Sequence, residues 1–255
     1  MFIDLLRAAL LVITHPFETI DRIRGRRELA RRGNRTHAYD VNDDWEARLH
    51  TALDRPWPCP ELEELGPVWS EIAASLEDVC GGHDADPALA RAAWCLVRHL
   101  RPDRVVETGV ARGVLSRVIM AAMDRNGRGH LWSIDLPPVI GEWRAHVEAA
   151  HPNRQRARWT FIRGASSRRL PKLLASLGGI QLFIHDSLHT EQNMLFEFEA
   201  AWSKLEPGCA LLADDIQESA AFASFLTVRA LGTALVGIAE TKTSLFGLAL
   251  KPAET

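Results

Sequence analysis

"RVVETGVARGVLSRVIMAAMDR", residues 104–125, contains the turn on which the fold is decided. Its start, "RVVETG", is a short apolar run of strand type. Its end, "VLSRVIMAAMDR", carries apolar residues at helical spacing. Between them, Glu107, Gly109 and Gly113 form an E-x-G-x-x-x-G turn. Glycine is needed where the backbone turns tightly and approaches a ligand. The spacing is not the G-x-G-x-x-G favoured by a dinucleotide pyrophosphate, which argues against a nicotinamide oxidoreductase.

Strand and helix alternate outward from this turn. "HLWSID" (130–135), "WTFIRG" (159–164), "IQLFIHD" (180–186) and "CALLADD" (209–215) read as strands. The region around "EWRAHVEAA" (142–150), "SRRLPKLLASL" (167–177), "TEQNMLFEFEAAWSKL" (190–205) and "SAAFASFLTVRALG" (219–232) read as helices. Pro171 is expected in or near the first turn of its helix. "ALVGIAE" and "TSLFGLALK" (234–251) read as a hairpin about Thr241-Lys242. The expected fold is α/β: a Rossmann-like, seven-stranded, mostly parallel sheet with an antiparallel terminal hairpin. Residues 1–85 read as a helical N-terminal extension and 86–255 as the α/β domain. "RPWPCPELEELGP" (55–67) reads as a loop, because proline cannot continue a helix. "PALARAAWCLVRHL" (87–100) reads as a helix.

Composition narrows the function classes. The net charge is -3, with no overall bias toward nucleic acid. Cys59, Cys80, Cys95 and Cys209 are scattered with no CxxC pair, so a reduced, cytoplasmic setting is expected, without a zinc site or a disulfide framework. The uninterrupted apolar run Ala8–Ile13 is far shorter than the roughly 20 residues that span a bilayer. The first helix is expected to pack on the domain or on a second subunit. A sharper alternative is peripheral membrane contact through residues 1–35, helped by seven arginines from Arg22 to Arg35.

In open α/β sheets ligands bind beyond the carboxyl ends of the strands. Each strand here ends on a polar residue or glycine: Glu107, Asp135, Gly164, Asp186 followed by His189, and Asp214 with Asp215. Asp135 can take both hydroxyls of a ribose. Ser166 can hydrogen-bond an adenine edge or cap the next helix. Asp186, Asp214 and Asp215 converge on one crevice with no lysine nearby in sequence, which calls for a hard divalent cation such as Mg²⁺.

These residues resemble the class I S-adenosylmethionine-dependent methyltransferases. The resemblance covers residues from about 90 to 250. It implies that Gly109 and Gly113 line the methionine part of the cofactor with Thr108 beside them, that Ser116 reaches the methionine carboxylate and that Glu107 orients the glycine turn. It also implies that Asp135 holds the ribose and that Ala165 and Ser166, after Gly164, flank the adenine. "HDSLH" with "PGCALLADD" is similar to the metal-dependent O-methyltransferases, whose metal ligands match Asp186, Asp214 and Asp215. Catechol-type members carry a catalytic lysine three residues past the first ligand. Here that place is His189, the pattern of the sugar-modifying branch. The resemblance therefore implies S-adenosylmethionine, Mg²⁺ or a similar ion, a small saccharide or glycoside acceptor, and a homodimer in which the N-terminal helices supply a lid. Asp186 and His189 become the catalytic pair. A sugar hydroxyl, with a pKa near that of water, needs both cation and base, and neutral histidine can take the proton.

Overall fold

A computed structural model of the chain describes residues 16–31, 37–75, 85–136, 157–231 and 234–253. The expected helix of the first residues, Arg32 and Arg35, Cys80, Trp143, the helix around 142–150 and His151 lie outside the described residues.

The seven runs read as strands pair into one sheet. They are β1 (Arg104–Thr108), β2 (His130–Asp135), β3 (Trp159–Arg163), β4 (Ile180–His185), β5 (Leu205–Ala213), β6 (Ala234–Ile238) and β7 (Leu245–Leu250). Their order is β3-β2-β1-β4-β5-β7-β6. The first five are parallel, and β7 is antiparallel to both β5 and β6. The chain order changes direction beside β1, and this opens a crevice between the β1 and β4 ends.

The strands are apolar on both faces because helices cover both. In β4, Leu182 and Ile184 join one core and Phe183 the other. The first core packs against α5 (Pro87–Leu100) and α6 (Val114–Asn126). The second packs against α7 (Ser166–Leu177), α8 (Glu191–Trp202) and α9 (Ala221–Arg229). Among the described residues four more helices precede them: α1 (Pro16–Arg31), α2 (Trp45–Ala52), the single turn α3 (Pro60–Glu63) and α4 (Leu65–Ala74). Trp45, Leu49, Leu65 and Ile72 from this part belong to the first core. No helix among the described residues is long and apolar enough to cross a membrane.

Three local expectations are corrected. The proline-rich stretch 55–67 is not all loop: Pro60 opens α3 and Pro67 lies in the first turn of α4, where a missing N–H costs no helical hydrogen bond. Helix α8 stops at Trp202, and Pro207-Gly208 lie within β5 rather than before it. Pro171 falls in the second turn of α7.

Asp86 joins two distant parts of the chain. It is 1% exposed. Its carboxylate accepts from the Ala88 amide at 2.8 Å, capping α5. It also accepts from the amides of Glu240 and Thr241 and from the Thr241 hydroxyl, at 2.6–2.9 Å. The β6–β7 turn is thereby fixed to the start of α5. Asp86→Ala is expected to cost about 2–4 kcal/mol in chemical denaturation, since charge-assisted bonds and a cap are lost together. A loss below about 0.5 kcal/mol, the scale of an ordinary surface change, would contradict this account.

Candidate active site

The glycine turn is shaped by packing. Gly109 and Gly113 take left-handed φ values of +85° and +82°. A Cβ on Gly109 would lie 1.8 Å from the Asp186 carbonyl oxygen, so no side chain fits. The loop after β1 thus presses directly on the loop after β4. Glu107 is fully buried beneath this turn. The Ser116 and Ser133 hydroxyls both donate to its Oε2 at 2.6 Å. Its Oε1 is buried with no partner. Burial pushes the Glu107 carboxyl up to about 7, against the pull of the two serines. A buried, unpartnered acceptor is costly, and a bound donor would satisfy it.

Asp135 ends β2 beside this turn. Burial raises its pKa, opposed by backbone hydrogen bonds from Leu136, Val110 and Ala111 and by the charge of Arg22. Gly164 follows β3 with φ +135°, and its amide bonds the Asp135 carbonyl at 2.8 Å. Helix α1 lies across these strand ends. Arg163, the last residue of β3, donates to Glu18 at 2.7 and 2.9 Å. Arg168 donates to Asp21 at 2.7 Å. The Thr190 hydroxyl donates to Glu28 at 3.0 Å.

The second half of the rim holds the carboxylates. The Asp186 amide bonds the Thr108 carbonyl at 2.8 Å, and the Asp214 amide bonds the His185 carbonyl at 2.9 Å. The parallel ladders therefore continue into the loops and bring both ends into one crevice. His189 lies between two of the aspartates, with Nε2 3.8 Å from Asp186 and Nδ1 3.7 Å from Asp215. Its Nε2 is buried with no hydrogen-bond partner. Burial, then the neighbouring His185, depress its pKa to about 3, so the ring is neutral. Burial and Asp214 push the Asp186 carboxyl well above the usual range. Asp215 has left-handed φ of +50°, which costs a non-glycine residue about 1–2 kcal/mol and is tolerated at functional sites.

Lys242 completes this half. The sequence showed no lysine near the aspartates, but the β6–β7 turn brings Lys242 Nζ to 2.7 Å from Asp214 and 3.7 Å from Asp215. Burial works against its charge, and Asp214, then Asp215 and Asp186, still raise its pKa above the ordinary lysine value.

Glu197 on α8 holds the crevice from behind. It is fully buried and accepts from Thr108 at 2.5 Å, His185 Nδ1 at 2.6 Å, Ser187 at 2.7 Å and Asn193 at 3.0 Å. Against the cost of burial, His185 and these hydrogen bonds hold its pKa down at about 2. His185 packs on Phe198 and meets His189 edge to face, with ring centroids 5.3 Å apart in both cases.

The structure thus gathers Glu107, Gly109, Gly113 and Asp135 in one half, and Asp186, His189, Asp214 and Asp215 in the other. Ser116 and Thr108 are there too, but their hydroxyls are committed to Glu107 and Glu197. Ala165 is the N-cap of α7 and Ser166 its first residue. Ser166 makes no cap and points its hydroxyl at Asn193, 3.3 Å away. Sequence reasoning missed Lys242, Glu197 and the acidic residues of α1. Glu197 had a signal: it shares the buried face of α8 with Met194, Phe198 and Ala201. Lys242 had none, since only the hairpin brings it near. A second group, His50, Cys59, Cys95 and His99, also went unseen. Its donor atoms all lie within 4.8 Å of one another.

Residues 106–216 match the family model of a methyltransferase domain. No curated protein sequence matches the chain. Cofactor-bound Rv0187 from MTB superposes with a TM-score of 0.56 at 16% identity, covering 85% of this chain and 100% of that one. An O-methyltransferase from Bacillus cereus in complex with SAH gives 0.53 at 17% identity, covering 81% and 98%. The O-methyltransferase TomG from Streptomyces achromogenes, involved in tomaymycin synthesis and solved with SAM, gives 0.53 at 14%, covering 84% and 100%. At these identities the likeness establishes the fold: a Rossmann-like methyltransferase sheet, as expected.

Glu107 offers a test through its proton. Between about pH 4.5 and 7 the unfolded chain releases this proton and the folded chain retains it. The folded state then binds more protons, so stability falls as pH rises through that window, by about 3 kcal/mol in all. Glu107→Gln removes the effect. In cofactor-free protein, the melting temperature of the variant should gain on the parent between pH 4.5 and 7 and level off above. A difference independent of pH would show that Glu107 is already ionised without strain.

Proposed function

We propose that the protein is an S-adenosylmethionine-dependent O-methyltransferase that uses a divalent cation and His189 to methylate a saccharide hydroxyl. One observation carries this reading. On a sheet of methyltransferase order, Glu107 one residue before the end of β1 and Asp135 at the end of β2 share the rim where Asp186, His189, Asp214 and Asp215 follow β4 and β5. The methyltransferase family match over residues 106–216 supports it.

The cofactor fits the first half. The Glu107 Oε1 without a partner suits a donor group. Asp135 would hold the ribose, and Gly164, Ala165 and Ser166 the adenine. When bound, S-adenosylmethionine supplies an electrophilic methyl group on a sulfonium. The second half supplies oxygen donors of the type a hard cation takes, though spread more widely than the donor atoms of His50, Cys59, Cys95 and His99. Three carboxylates form an all-oxygen donor set, and Lys242 offsets only one of their charges. Asp186, Asp214 and Asp215 would hold Mg²⁺ or a similar ion, which lowers the pKa of the acceptor hydroxyl. His189, with its unpartnered Nε2, takes the hydroxyl proton. Asp215, 3.7 Å from Nδ1, would then steady the imidazolium that forms. Helix α1, pinned by Glu18, Asp21 and Glu28, limits water at the rim.

His189 in place of a lysine supports a sugar acceptor. One observation favours a second reading, a phenolic acceptor: Lys242 delivers an ammonium to the same carboxylates from the far end of the chain. A homodimer in the cytoplasm belongs to the same proposal, with Phe17, Ile20, Ile23 and Leu29 exposed on α1 as the surface a second copy would cover.

Methyl transfer from labelled S-adenosylmethionine to a panel of saccharides and catechols, with and without Mg²⁺, tests the reading. His189→Ala should lower kcat/KM about 10²- to 10⁴-fold, the range for a lost general base, with cofactor affinity nearly unchanged. Full activity in excess chelator would sink the cation's role. Transfer to catechols alone would replace the acceptor.

A further inference from the structure

On the opposite side of the molecule, four metal-binding side chains converge without a carboxylate among them. His50 comes from α2, Cys59 from the residue before α3, and Cys95 and His99 from successive turns of α5. Helix α5 ends at Leu100, just before β1 starts at Arg104. Its last turn therefore lies by the amino ends of the strands, away from the rim. His50, Cys59, Cys95 and His99 are 0%, 5%, 1% and 9% exposed. Their donor atoms all lie within 4.8 Å of one another.

The distances match a single ion. His50 Nε2 and His99 Nε2 are 3.2 Å apart. Cys59 Sγ is 3.3 Å from the same His99 Nε2. Bond lengths of 2.0–2.1 Å for Zn–N and 2.3 Å for Zn–S, at tetrahedral angles, put two nitrogens about 3.3 Å apart and a nitrogen and a sulfur about 3.6 Å apart. The tautomer is also set. His50 Nδ1 lies 2.7 Å from the Glu46 carbonyl and so carries the hydrogen, which leaves the Nε2 lone pair facing the cluster. His99 Nε2 thus stands at the centre of the group, within 3.3 Å of both His50 Nε2 and Cys59 Sγ. Cys59 Sγ also meets Glu61 Oε2 at 3.5 Å and hydrogen-bonds with Cys95 and His50. Both Cys59 and Cys95 are free thiols. Two thiols and two imidazoles make a set suited to zinc and poorly suited to Mg²⁺.

We infer that His50, Cys59, Cys95 and His99 form a structural Cys₂His₂ zinc site that clamps the N-terminal helices to α5. All four positions are filled by protein, so the site is closed and has no place for a substrate. It does not depend on the proposed methyl transfer.

The test uses the full-length chain, purified untagged with reductant and without chelator. Elemental analysis should find about one zinc per chain, as for a closed four-ligand site. Cys59→Ser/Cys95→Ser should lower zinc at least tenfold, whereas Asp215→Asn, in the other crevice, should leave it unchanged. Cobalt(II) added to the reduced, metal-free chain should give tetrahedral d–d bands with thiolate-to-cobalt charge transfer. Absence of that cobalt spectrum would overturn the site, as would zinc content unaltered in the double variant. If the double variant fails to fold, the cobalt spectrum of the parent chain decides alone.

Discussion

The contact between Gly109 and the Asp186 carbonyl is the constraint on which the site depends. One missing Cβ lets two loops touch backbone to backbone. One loop serves the proposed cofactor and the other begins the carboxylate crevice, so their separation is fixed by van der Waals contact of backbone atoms rather than by mobile side chains. Methyl transfer needs two reactants held in line at short range, and a rigid spacing of this kind supplies that without a closing motion. The Asp186 amide bond to Thr108 reinforces the same contact from the sheet side.

Charge organises the rest of the crevice. Three aspartates, one lysine and a neutral histidine share a space largely closed to solvent, and the nearest buried support is a fourth carboxylate, Glu197. The two halves of this arrangement are insulated differently. Glu197 is saturated with donors and keeps its charge at little cost. At Asp186 burial, and then the charge of Asp214, work against ionisation. Asp186 faces the crevice and Glu197 faces the core. This is the distribution expected where one carboxylate positions the fold and another meets a ligand.

The sheet was legible because its signal is local. Alternating apolar runs and helical periods gave all seven strands, and the terminal hairpin followed from the short turn at Thr241-Lys242. The rim residues were legible because they stand at strand ends. What escaped depends on distance in the chain. Lys242 reaches Asp214 only because β7 inserts between β5 and β6. Cys59 and His50 meet Cys95 and His99 only because the first helices pack on α5. Spacing rules for metal sites look for paired ligands close in sequence, and here only Cys95 and His99 obey one, four residues apart on the buried face of a helix. The proline-rich stretch misled for a different reason: proline ends a helix in its interior but is welcome in its first turn.

The left-handed backbone at Asp215 has a consequence for which residues the position can hold. Among side chains with a Cβ, aspartate and asparagine enter that region most readily, and glycine enters it freely. Of these three, only aspartate and asparagine also project an oxygen into the crevice. The turn after β5 therefore favours residues that tolerate a left-handed backbone, and of these aspartate and asparagine also bring an oxygen donor, one charged and one neutral. A change between them would alter the charge of the crevice by one unit while leaving the path of the chain intact. Selection acting on that position can tune the electrostatics of the site without first having to rebuild its backbone.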